Sequence, residues 1–205
     1  MWSIGGHIEP DDELHRRMSP PDNEVPVALP QNLLLGRTDD VAVALLGLQV
    51  YSTGVSFDLA VRARAGAVLG AGRSLNELFW EHRPGAAQQF LFGVEFADGR
   101  RASNLPGPGR ADDVVFHSGG GGGGDTSIDQ SWWLSPLPPE GPLRLVVRCP
   151  DLDLAESVVE LDGSEIQRAA QHVVVLWPWE APRDHGHEEA LPSPDLPADS
   201  WFAGR

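Results

Sequence analysis

Between Val41 and Arg64 two apolar runs meet at one tight turn, and this stretch constrains the fold more than any other. Val55, Phe57, Leu59, Val61 and Ala63 share one parity, while Ser56, Asp58, Arg62 and Arg64 take most of the other. A period of two means a strand with one buried and one wet face. The preceding run, Val41 to Val50, is apolar on both parities, as expected of a strand deeper within a sheet. Tyr51-Ser52-Thr53-Gly54 between them is turn chemistry, so the pair reads as a β-hairpin.

The same pattern recurs along the chain. Phe90, Phe92, Val94 and Phe96 alternate with Leu91, Gly93, Glu95 and Ala97, and Asp98-Gly99 turns into Arg100–Ser103, a second hairpin. Leu33–Gly36, Asp113–His117, Ile128–Leu134, Leu143–Val147, Ser157–Leu161 and His172–Trp177 supply further short strands between turn residues. Helix signals are few. Ser74 followed by Glu77 is a capping box that Pro84 must end, and Ser164–Gln171 places Ile166, Ala169 and Ala170 on one face. Many short strands with little helix indicate an all-β fold, an antiparallel β-sandwich of immunoglobulin-like or jelly-roll-like architecture. The Cys–Trp–Cys pattern of true immunoglobulin domains is absent.

Three regions are expected. Residues 1–30, charged and proline-rich, read as a flexible or loosely docked arm. Residues 31–179 carry the sandwich, and 180–205 form an acidic, proline-rich tail.

Charge narrows the function classes. A net charge of −15 argues against nucleic acid and against anionic membrane surfaces, which attract clustered cations. All 15 basic residues are Arg, so no P-loop lysine, Schiff-base lysine or Ser–Lys dyad can form. Cys149 is the only cysteine, so no intrachain disulfide is possible, and a cytoplasmic, reduced setting is expected. No run approaches the ~18 apolar residues that span a bilayer.

No assembled catalytic motif stands out. Six glycines, Gly119–Gly124, lead into Asp125 rather than a Lys and read as a flexible surface loop. Asp184-His185-Gly186-His187-Glu188-Glu189 has metal-ligand residue types, but it lies in the tail without a second ligand group, so no metal and no cofactor are expected. Cys149 with His172 or His117, and Ser118 beside His117, are conceivable nucleophile pairs without a motif.

The tryptophans carry the sharpest expectation. Trp132 and Trp133 are adjacent on a strand and must point to opposite faces; Trp177 and Trp179 flank Pro178. Either a segment of the same chain covers the second face, or these four rings form a binding surface. The leading expectation is a non-enzymatic protein-interaction or assembly module that binds a protein partner or itself. A small-molecule or carbohydrate-binding sandwich is the alternative, and a hydrolase using His117 or Cys149 comes third.

Overall fold

A computed structural model describes residues 15–80, 90–105 and 114–180. In chain order the strands are β1 (Glu24–Val25), β2 (Val27–Arg37), β3 (Val41–Val50), β4 (Val55–Ala63), β5 (Leu91–Glu95), β6 (Arg101–Ser103), β7 (Val115–Gly123), β8 (Ser127–Ser135), β9 (Pro142–Cys149), β10 (Leu154–Asp162) and β11 (Val174–Val175). Helices α1 (Leu75–Trp80) and α2 (Gly163–Ala170) interrupt them. A five-stranded sheet runs β2-β3-β4-β8-β7, a four-stranded sheet runs β10-β9-β5-β6, and β1 pairs β11 in a small ribbon. Every pairing is antiparallel. The architecture is the expected all-β sandwich.

Alternation builds the core. Val55, Phe57, Leu59 and Val61 of β4 are buried, as are Leu143, Leu145, Val147 and Cys149 of β9, in one cluster drawn from both large sheets. Aromatic rings bridge the layers. Phe92 of β5 meets Phe57 of β4 at 6.0 Å and Trp132 of β8 at 4.9 Å, both edge-on. Such edge-to-face pairs add about 0.5–1.5 kcal/mol beyond the area they bury.

Strand β3 departs from the two-sided burial its composition suggests. Val41, Val43 and Leu45 face inward, and after a register shift between Leu46 and Leu48 the inward residues become Leu48 and Val50. Gly47, at φ 59°, lies within that shift, a left-handed backbone that favours glycine. The both-parity apolar pattern is a bulge that switches which parity is buried. Leu46 is left facing solvent.

Residues 1–14 of the expected arm lie outside the described residues, and its last residues are in strands. Strand β2 starts at Val27 and carries Pro30, which an edge strand tolerates because one side of it needs no N–H partner. The glycine run is also not a loop. Gly119–Gly123 belong to β7, with Gly121, Gly122 and Gly123 opposite Gln130, Asp129 and Ile128. A Cβ on Gly121 would approach Asp129 O to 2.7 Å and Trp80 of α1 to 3.1 Å, and one on Gly123 would fall on Ser127 O and Ile128. At Gly120, Gly122 and Gly124 an added Cβ would meet nothing. Gly121 and Gly123 thus let the β8 backbone, and at Gly121 the α1 indole, come close.

Both helix starts are capped. Ser74 N donates to Glu77 Oε2 at 2.9 Å and Glu77 N donates to Ser74 Oγ at 3.3 Å, the reciprocal pattern expected. Helix α2 is capped by Asp162, whose carboxylate accepts from Ser164 N at 2.9 Å. The segment Ser157–Leu161 widens to all of β10.

Alanine at Gly123 should lower stability by about 1–3 kcal/mol, whereas alanine at Gly122 should be neutral or gain about 0.5–1 kcal/mol, read from urea midpoints. Trp132→Ala should cost about 3–5 kcal/mol. Trp132→Phe should cost much less, since the buried Trp132 indole N–H lacks a hydrogen-bond partner and its removal relieves a desolvation cost.

Candidate functional site

Adjacency on β8 sends the two tryptophans to opposite faces, as the sequence requires, but it exposes neither of them. Trp132 is 3% exposed, with its ring 4.8 Å from Phe116 and 4.9 Å from Phe92. Trp133 is 2% exposed on the outer face of the five-stranded sheet. Neither offers an open ring; of the four tryptophans named from the sequence, Trp177 is exposed and Trp179 half-buried. Trp133 is covered by residues 15–18, a helical turn that crosses that outer face.

The arm is held through its main chain. Trp133 Nε1 donates to Arg17 O at 2.8 Å, and His117 Nε2 stands 2.8 Å from Met18 O. His117 and Trp133 are direct cross-strand partners of β7 and β8, so the sheet itself sets two ring N–H groups side by side. The Arg16 guanidinium lies 5.3 Å from the Trp179 ring centroid, a cation–π contact. Tyr51 packs edge-on against Trp133 at 5.8 Å, and a Cβ on Gly54 would meet that indole at 2.7 Å. Burial first, and the Glu24 charge second, push the Tyr51 hydroxyl above its ordinary range and keep it neutral.

Beside the arm runs the β1–β11 ribbon. Glu24 pairs with Val175 and Val25 with Val174. Leu176 N donates to Asn23 O at 2.8 Å, and the buried Asn23 amide donates to Trp177 O at 2.7 Å. Glu24 fastens the ribbon to the β3–β4 turn by accepting from Ser52 N at 2.9 Å and from the Ser52 hydroxyl. The strand expected over His172–Trp177 thus reduces to Val174–Val175, and its side chains do not join the core. Val174, Val175 and Trp177 are 55%, 59% and 57% exposed, with Val25 and Leu176 also open. Register puts Val25 and Val174 on one face of the ribbon and Val175 on the other, so apolar side chains are exposed on both of its faces.

The catalytic candidates are not assembled. Cys149 is buried at the end of β9, and desolvation pushes its thiol up to about 11. Both ring nitrogens of His117 face main-chain carbonyls, Met18 O and Ser118 O, and His172 Nδ1 faces Arg168 O. An open pocket of about 310 Å³ is lined in part by Leu69, Arg73, Ser74 and Asp125. Its Arg73 guanidinium is already occupied by Glu77 O at 2.7 Å and by the Asp151 carboxylate at 3.6 Å. Among the described residues no group of three or more His, Cys, Asp and Glu is placed to hold a metal ion. The Asp184–Glu189 cluster lies outside the described residues. Among the described residues no helix is long and apolar enough to cross a membrane.

Compared with protein-family models, with curated proteins and with solved structures, the chain matches none.

Sequence reasoning named Trp177 but not the exposed Val25, Val174 and Val175, whose exposure depends on a two-residue pairing between distant segments. It also missed the His117–Trp133 fork, although the alternative that a segment of the chain covers the second tryptophan was open.

Native protein should leave Cys149 unalkylated by iodoacetamide until denatured. Because the folded thiol titrates near 11 against an ordinary value of 9.0, the folded state holds that proton where the unfolded state loses it. The thiol's contribution is therefore complete below pH 9 and lost as pH rises toward 11. Cys149→Ala should flatten that decline in thermal melts.

Proposed function

We propose that the protein is a non-enzymatic β-sandwich interaction module whose contact surface is the β1–β11 ribbon with Trp177. One observation carries the reading: Val25, Val174, Val175, Leu176 and Trp177 are all exposed, on both faces of a ribbon and just past its end, and Asn23 and Glu24 hold that ribbon by hydrogen bonds. Aromatic anchors near the centre of a contact surface supply a large share of binding energy. A ribbon fixed at both ends loses little conformational freedom on docking, which favours association. The partner is a protein or a second copy of the chain, and the lone buried Cys149 suits a cytoplasmic setting.

The ribbon also separates this reading from a carbohydrate platform. Sugar stacking needs an open ring with polar groups around it, whereas Trp177 is flanked by aliphatic side chains. Sedimentation velocity over a wide concentration range should show association that Trp177→Ala weakens roughly tenfold or more, the scale of a hot-spot residue. Val175→Ser should weaken it less, and neither variant should move the melting temperature appreciably. A wild-type protein that stays monomeric, with Trp177 equally quenchable at every concentration and with candidate partners, would remove the proposal.

A further inference from the structure

We infer that the outer-face cleft formed by His117, Trp133 and Trp179 is a binding site for an arginine-bearing peptide segment of a partner protein, closed in cis by residues 15–18. This goes beyond the ribbon reading, concerns a different surface and does not depend on it.

The cleft has the parts of a peptide site. His117 and Trp133, opposed in register on β7 and β8, face the carbonyls of two successive residues, Met18 and Arg17. Donors aimed at main-chain oxygens do not read side chains, so any segment of similar backbone shape satisfies them. Side-chain selection enters at Trp179, whose ring takes the Arg16 guanidinium at 5.3 Å. The Trp133 indole is held by the Tyr51 ring on one side and by the Gly54 backbone, where a Cβ would strike it. A pre-positioned donor pair of this kind loses little freedom on binding.

The occupant seen in cis is basic. Residues 15–18 read His-Arg-Arg-Met in a chain of net charge −15. A cationic segment of a partner would be drawn to the same face by the field of the whole protein. Tethering gives the arm an effective concentration of order mM, so residues 15–18 act as a competitor that a partner must displace. Pro20 and Pro21 follow the arm directly and stiffen the link to β1.

The experiment uses the full chain and a fluorescent synthetic peptide of residues 15–21 as probe. Arg16→Ala in the protein removes the cation–π contact of the arm, so the peptide should bind it severalfold more tightly than wild type by anisotropy. A probe with both arginines replaced by glutamine should bind severalfold more weakly. Adding Trp133→Phe to the Arg16→Ala protein should abolish binding. Should that buried change unfold the protein, His117→Ala at the sheet edge makes the same test. Trp177→Ala should leave peptide binding unchanged, which separates this site from the ribbon. Equal binding by wild type and Arg16→Ala, or no saturable binding by either, would overturn the inference. So would an Arg16→Ala protein that dimerises with concentration and is not dissociated by the peptide, since the cleft would then belong to the arm of a second copy.

Discussion

The contact of Phe92 with Phe57 and Trp132 is what makes two sheets into one domain. Phe92 sits on β5 of the four-stranded sheet, and the other two sit on adjacent strands, β4 and β8, of the five-stranded sheet, where Phe57 and Trp132 are register partners. One ring therefore wedges against a cross-strand pair of the facing layer. Phe116 on β7 closes the same cluster at 5.2 Å from Phe92. Because edge-to-face geometry fixes distance and angle together, this cluster sets how the sheets lie over one another. The aliphatic side chains around it adapt to the space that remains.

From that wedge the rest of β8 follows. With Trp132 committed inward, a period of two sends Trp133 outward, onto a face that water would otherwise reach. The outer face meets this demand with the turn at 15–18 and with Tyr51, which together leave the indole covered and its N–H satisfied. The arm is thus a consequence of placing two tryptophans in succession. Its ties include side-chain donors to its carbonyls and one guanidinium over one ring.

What was legible in the sequence was the alternation, and with it the hairpins β3–β4 and β5–β6, the strand β9 and the α1 capping box. These depend on neighbours within a few residues, where spacing and geometry are nearly the same thing. What was not legible depends on partners far away in the chain. Gly119–Gly123 read as a loop because glycine maximises freedom in isolation. It becomes a strand because β8 supplies a full set of main-chain partners, and because α1 lays Trp80 against Gly121. Val41–Val50 read as buried on both faces because a bulge at Gly47 cannot be told from a two-sided strand by counting apolar residues. The candidate surface was half legible. Trp177 stood out, but its aliphatic neighbours are exposed only because β11 turns aside to pair with β1.

That turning aside has a local cause. After α2, His172 N and Val173 N donate back to Ala169 O and Ala170 O, so the chain leaves the helix through a tight turn instead of running on into the core. Asn23 then captures it from the other side through both its backbone and its amide. Only Val174 and Val175 find strand partners, too short a length to add to either large sheet. A run of four aliphatic and aromatic side chains, Val174 to Trp177, is left exposed on an acidic protein. Like charge on every copy opposes the non-specific clustering that such a run invites, because repulsion of −15 against −15 acts at a distance where apolar contact does not. Salt screens the first and leaves the second, so the balance between a dispersed and an associated state rests on ionic strength.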